Sequence, residues 1–220
     1  MDLSPLWITL KVSLAATVFV FITGIAAAWA VNNLKRGKAV IDAVLSLPLV
    51  LPPTVVGFIL LIALGSNSPI GKLCETFGTR LVFTWQGAAI ASAFVSFPVM
   101  YRGIRGALEQ VDINMIQAGR TLGMKEFTIL RKVMLPVAAP GIIASVVLSF
   151  ARCLGEFGAT LMVAGNLPGK TQTMSIAVYT AMQSSNRELA FKWVLIIVFY
   201  SLFILVMMNS LASIKGGRTK

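Results

Sequence analysis

Histidine is absent from this sequence. Imidazole is the one side chain whose unperturbed pKa lies near neutrality, so histidine-centred acid–base chemistry and the HExxH zinc arrangement are both excluded. Acidic residues are few, eight in 220, and they are scattered, which argues against a clustered carboxylate site. Cysteine occurs twice, at Cys74 and Cys153, without metal-type spacing. Cys74 is expected in an outer loop and Cys153 inside a membrane span, too far apart in depth for a disulfide. A phosphate-wrapping G-x-x-x-x-G-K-[ST] loop is also missing. The near miss is Gly169-Lys170-Thr171, whose first glycine would fall on Ala164.

Charge itself is scarce. Only 12% of residues are charged and 57% are hydrophobic, against roughly 25% charged in a soluble domain. So few charges cannot cover a water-facing surface. Several apolar runs reach the ~20 residues a helix needs to cross a bilayer. The composition therefore predicts an all-α membrane protein, with residues 1–220 forming one domain and a core at about 7–214. The net charge is +11. In a soluble protein that would suggest nucleic acid; here Lys and Arg mark cytoplasmic loops, and nucleic acid is not an expected partner.

The spans follow from the apolar runs and their basic ends. Span 1 is expected at about Trp7–Val31. Its start, Met1-Asp2-Leu3-Ser4, lacks a basic flank, so the run reads as a retained anchor. Lys35, Arg36 and Lys38 follow it, which places that loop in the cytoplasm and the N-terminus outside. Span 2, about Val40–Leu64, carries Pro48, Pro52 and Pro53 and is expected as one kinked helix, serving either packing or a hinge. Residues 65–84 form an outer loop. Span 3, about Trp85–Tyr101, has Trp85 and Tyr101 as interfacial anchors and continues inward as helix to Arg102 and Arg105. Span 4 opens at Pro136 and ends near Leu154. Residues 155–188 lie outside or dip in from the outer face, with a short helix at Met174–Met182. Span 5 covers about Leu189–Ile214, and Lys215, Arg218 and Lys220 close the chain inside. Twelve of the 19 cations fall in the three inner segments, consistent with about five transmembrane helices. No internal repeat is evident, so a two-fold pore would need a second copy of the chain.

The longest polar stretch is residues 109–136, EQVDINMIQAGRTLGMKEFTILRKVMLP. Asp112 suits a helix start. Met115, Ala118 and Leu122 make one apolar stripe, and Gly123 suits a left-handed helix end. Phe127, Leu130 and Met134 make a second stripe, with Arg131 and Lys132 where a helix end favours cations. Two short helices around a glycine bend are predicted, lying at the membrane face, with Gly119 and Gly123 leaving backbone open to a partner. From periodicity alone the stretch reads first as an ordinary amphipathic cytoplasmic loop.

The residue order is more specific. Gln117-Ala118-Gly119, three residues, Gly123, nine residues, Val133, one residue, Leu135-Pro136 resembles the EAA loop of ABC importer permeases. That loop reads Glu-Ala-Ala, three residues, Gly, nine residues, Ile, one residue, Leu-Pro; here Gln117, Gly119 and Val133 depart from it. The segment from Ser46 to Gly57, SLPLVLPPTVVG, is similar to molybdate-type permeases of that family. So are Ala151–Thr160, ARCLGEFGAT, and Gly165–Thr171, GNLPGKT. Sulfate permeases are similar at the same places, though Phe157-Gly158-Ala159-Thr160 is closer to the molybdate branch. The resemblance implies the type I ABC importer transmembrane domain, with Gln117, Ala118, Gly119, Gly123, Leu135 and Pro136 coupling to the ATPase. It further implies a homodimer, two ABC ATPase subunits that use ATP and Mg, an extracytoplasmic oxyanion-binding protein, and no cofactor on this chain. The expected setting is the cytoplasmic membrane of a prokaryote, amid membrane lipid. A sulfate or thiosulfate permease is the alternative substrate reading.

Arg152 and Glu156 stand four residues apart near the outer end of span 4. Charges inside a membrane span are rare and usually face a bundle interior or a water-filled path. They are either a self-neutralising pair or a gate on the translocation path, where Arg152 would draw an anion and Glu156 would help release it. An intramembrane enzyme would need clustered acids, histidine or a nucleophile with its base. A secondary transporter or channel would show repeats or ion-relay carboxylates within spans. Neither pattern is evident.

Overall fold

The fold is that of a computed structural model, which describes residues 2–34 and 36–216; side chains at Asn209 and beyond Ser210 are outside the description. The expected inner-loop Lys35 and the tail cations Lys215, Arg218 and Lys220 therefore lie outside the described side chains. Eleven α-helices and one π turn make up the described residues, among which there is no strand.

Four helices are long and apolar enough to cross a membrane: Ser4–Asn33 (α1), Trp85–Glu109 (α5), Glu126–Leu154 and Arg187–Met208. Their exposed residues show the solvent they need. On α1, Val12, Ala16, Val20 and Ala28 face the bundle, while Leu14, Val18, Phe19 and Ile22 face outward. A helix at a water surface would carry polar residues on that outer face; an apolar one suits lipid.

α5 is the central helix, packed between α1 and α8 (Leu135–Leu154). Small residues let the backbones approach. A Cβ on Gly103 would stand 2.2 Å from Ser145 Oγ, and one on Gly141 would stand 2.7 Å from Ala107 Cβ. Gly103 and Ala107 of α5 thus face Gly141 and Ser145 of α8, each pair one turn apart, as in small-residue membrane interfaces. α5 runs on past Tyr101 to Glu109, as its sequence predicts. Tyr101, however, is not an interfacial anchor: it is fully buried, and its hydroxyl is taken by Asp42.

The expected single kinked span 2 is instead two helices, Lys38–Val50 (α2) and Pro53–Leu64 (α3), bent by 107°. Leu51 and Pro52 between them are extended. The residue before a proline is pushed out of the helical region, and here two prolines in succession make the break complete. At 1.5 Å per residue each half is only ~20 Å long, short of the ~30 Å hydrocarbon core. The pair counts as a fifth span only when taken together.

The 65–84 loop holds a short helix, Pro69–Thr76 (α4), started by Ser68, whose hydroxyl accepts from the Gly71 N–H at 2.8 Å. After α8 the chain turns at Gly155 into Gly158–Ala164 (α9), which is buried at Ala159, Val163 and Ala164 and packs on α3. Met174–Gln183 (α10) and Arg187–Gly216 (α11) complete the fold, sharing a cluster of Met174, Ala177 and Trp193. Cys74 and Cys153 are free. Cys153 is buried and donates to Ser96 Oγ at 3.1 Å.

Candidate coupling loop and interior charges

The polar stretch folds as two helices about a glycine bend. The first is Ile113–Thr121 (α6), started by Asp112, whose carboxylate accepts from the Asn114 N–H at 2.9 Å. Its end is a Schellman cap: the Met124 N–H bonds the Gly119 carbonyl at 3.0 Å and the Gly123 N–H bonds that of Arg120 at 2.9 Å. Gly123 takes φ +71°, which a glycine tolerates without strain. Arg120 closes the bend from outside with two bonds to Glu126, at 2.7 and 3.2 Å. That hydrogen bond, with the charge behind it, holds the Arg120 guanidinium above its ordinary pKa.

The second helix is not a separate short element. Glu126–Ile129 (α7) passes through a π turn, Leu130–Met134, straight into α8. Pro136 therefore does not open span 4; it sits inside one helix that begins at Glu126. Proline has no N–H to give and its ring crowds the carbonyl four residues earlier. The π turn just before it, where the Leu135 N–H reaches back to the Leu130 carbonyl, widens the helix where that crowding falls. Arg131 and Lys132 are consequently on the exposed side of a continuing helix, with no helix end beside them for a dipole to act on.

The expected coupling residues divide by where they face. Gln117, Ala118 and Gly123 are exposed. Gly119 is buried, and a Cβ there would meet Ile129 at 3.1 Å. It packs α6 against α7 and leaves no backbone open to a partner, contrary to the sequence expectation. Leu135 packs against the core and Pro136 is exposed. The Met115–Ala118–Leu122 stripe faces outward, because Ile116 and Gly119 supply the inner face of α6. Leu122 is 80% exposed and Phe127 63%. Phe127 also meets Trp29 of α1 edge-on, with ring centroids 6.4 Å apart. The result is a loop held by its cap and by the Arg120–Glu126 pair, presenting apolar side chains between cations.

At the other end of α8, Arg152 Nη1 lies 2.8 Å from Glu156 Oε2. The Arg152 side chain is 33% exposed and that of Glu156 only 2%. Glu156 Oε1 also accepts the Ala159 N–H at 2.8 Å, fixing the first turn of α9. Both carboxylate oxygens are thus engaged, and the arginine alone has a face to spare.

One cluster escaped the sequence reading. Asp42 of α2 accepts from the Tyr101 hydroxyl at 2.9 Å and pairs with Arg105. Arg105 Nε bonds Glu109 at 2.9 Å, Lys38 lies 3.5 Å from Glu109, and Arg102 bonds Ser46 at 2.8 Å. The signal was available: Lys38, Asp42 and Ser46 recur every fourth residue, as do Tyr101, Arg105 and Glu109.

The chain belongs to the family of binding-protein-dependent transport system inner membrane components, which matches residues 20–215. It is 48% identical over 183 residues, 82% of this chain and 80% of the relative, to the Molybdenum transport system permease protein ModB of Escherichia coli (strain K12). The Sulfate transport system permease protein CysT of Salmonella typhimurium (strain LT2) is more distant, at 34% over 212 residues, 96% of this chain and 76% of that one. The fold matches a chain of the inward-facing MetNI methionine ABC transporter with a TM-score of 0.75 and 18% identity, covering 96% of this chain and 94% of that chain. It is the fold of type I ABC importer transmembrane domains. Family members of this kind are non-catalytic translocating subunits, and this chain is one.

Proposed function

We propose that the chain is the membrane-spanning permease of an ATP-driven importer of molybdate, or of the similarly shaped tungstate. The observation that carries this reading is the 48% identity with a molybdenum permease across 82% of the chain, against 34% for a sulfate permease. Residues 109–136 dock an ATPase subunit through Leu122 and its neighbours; ATP and Mg are used there and not on this chain. Two copies of the chain form the pore, two ATPase subunits serve them, and an extracytoplasmic protein delivers the oxyanion. The docking loop is cytoplasmic and the N-terminus external, the orientation that the basic residues at 36–38, 102–105 and 120–132 favour.

Arg152 and Glu156 act at the external end of the path. Arg152, paired but still one-third exposed, draws a divalent oxyanion, and the nearby carboxylate keeps the site weak enough to release it. The test is ATP hydrolysis by the reconstituted complex with its binding protein. Molybdate is expected to stimulate hydrolysis at concentrations where sulfate does not. Preferential stimulation by sulfate would assign the chain to the sulfate branch, and hydrolysis indifferent to every tetrahedral oxyanion would overturn the reading.

A further inference from the structure

α2 is held to the bundle largely by polar groups. Its Val40, Ile41, Val44, Leu47, Leu49 and Val50 are exposed, and of its apolar residues only Leu45 packs against the main core. The face turned to α5 carries Lys38, Asp42 and Ser46, which meet Glu109, Tyr101 with Arg105, and Arg102 in turn. Lys38 also reaches Asn32 at the end of α1, at 3.4 Å. The outer pair, Lys38 with Glu109, is 38% and 46% exposed and contributes little; the more enclosed Asp42, Arg105 and Tyr101 form the part of the seam whose loss is felt.

Its position matters as much as its chemistry. At one end, α5 finishes at Glu109 and the cap of α6 is Asp112, three residues on. At the other end, α2 bends by 107° into α3. α3 lies backbone-close to α9, where Gly57 meets Ala159 and Gly158 meets Pro53 and Thr54. The first turn of α9 is fixed by Glu156, the partner of Arg152. An unbroken line of packed and hydrogen-bonded elements therefore joins the loop at 109–136 to the charge pair.

We propose that Asp42 is a positioning residue for transport: through Tyr101 and Arg105 it ties the loop end of α5 to the bent α2–α3 pair, so that α2 and α3 move in step with a displaced loop and with α9, which the helix Glu126–Leu154 already links to that loop. The proposal rests on the reading of 109–136 as the ATPase docking loop. Without the tie, hydrolysis continues at the docked subunit and α9 still follows the loop through the continuous helix Glu126–Leu154, while the α2–α3 pair no longer moves in step with it.

The test uses the full complex in vesicles, with Asp42→Asn, Asp42→Glu and Tyr101→Phe in the permease. Three quantities are read: ATPase subunit retained on purification, ATP hydrolysed, and molybdate transported per ATP. Asp42→Asn is expected to keep retention and hydrolysis near wild type while transport per ATP falls about fivefold. Asp42→Glu restores most of that ratio, and Tyr101→Phe gives an intermediate value. Tyr101→Phe removes one hydroxyl and carries the test should Asp42→Asn fail to insert. An unchanged ratio in these variants overturns the proposal. So does loss of the ATPase subunit from Asp42→Asn, because the seam would then support the docking surface and transmit nothing. A failed docking reading shows separately, as ATPase retention insensitive to Leu122→Asp in the wild-type Asp42 chain, and it removes this proposal as well.

Discussion

Gly57 of α3 lies so close to Ala159 of α9 that a Cβ at position 57 would stand 2.8 Å from the Ala159 Cα. The obstacle is backbone, not a flexible side chain, so it cannot simply swing away. This one contact fixes the distance between the second half of the bent pair and the short buried helix beside the charge pair.

Gly57→Val should therefore destabilise the protein by about 1–3 kcal/mol through overpacking. A thermal unfolding series in detergent checks it, with Gly106→Ala as the contrast. Nothing lies within 4 Å of a Cβ at Gly106, and alanine there should be neutral or stabilising by up to ~1 kcal/mol, as expected inside a helix. Equal behaviour of the two variants would contradict the close approach of α3 and α9.

The loop at 109–136, proposed to dock the ATPase subunit, gives a second expectation. Gly123→Val forces a β-branched residue to φ +71° and disrupts the cap of α6, at a local cost of roughly 1–3 kcal/mol. Leu122→Asp leaves the backbone alone and charges the most exposed apolar side chain of the loop. Both should lower co-purification of the ATPase subunit while membrane insertion stays normal. Arg120→Ala breaks only an exposed pair with Glu126, with half of each side chain in solvent, and should change stability by less than about 1 kcal/mol.

The charge pair gives a third. Arg152→Ala alone strands a buried carboxylate, and breaking a buried pair in this way costs about 3–5 kcal/mol. Pairing it with Glu156→Gln avoids that penalty, since the amide oxygen can still accept the Ala159 N–H. The double variant should assemble with its partners and show slowed molybdate uptake. Glu156→Gln alone keeps the cation without its paired carboxylate; if that carboxylate aids release, as proposed, maximal uptake falls as well. Normal uptake in the double variant would take Arg152 out of the path.

Much of this architecture is legible in the residues themselves. Long apolar runs report spans because lipid solvates no backbone groups, and Asp112 and Gly123 report helix ends because their roles are local. Legibility fails where the cause is tertiary. Pro52 and Pro53 signal a break, but the 107° angle and the packing of α3 on α9 appear only in the fold. Pro136 looks like a helix start, whereas a π turn absorbs it within one long helix. Gly119 looks like open backbone, whereas Ile129 ten residues later fills the space beside it. Asp42 and Arg105 are 63 residues apart; their four-residue spacings mark one polar face on each helix, but only the fold brings the two faces together.

Which way the loop at 109–136 faces, and what it touches, decides whether this chain is driven by an ATPase subunit. Leu122→Cys in a Cys74→Ser background places one accessible thiol on that loop, since Cys153 is buried. Thiol labelling and cross-linking of this variant in intact cells and in inverted vesicles is the direct measurement. The account predicts labelling from the cytoplasmic side, protection when the ATPase subunit is bound, and a cross-link to that subunit. Labelling from the exterior alone, with no cross-link to an ATPase subunit, would contradict it.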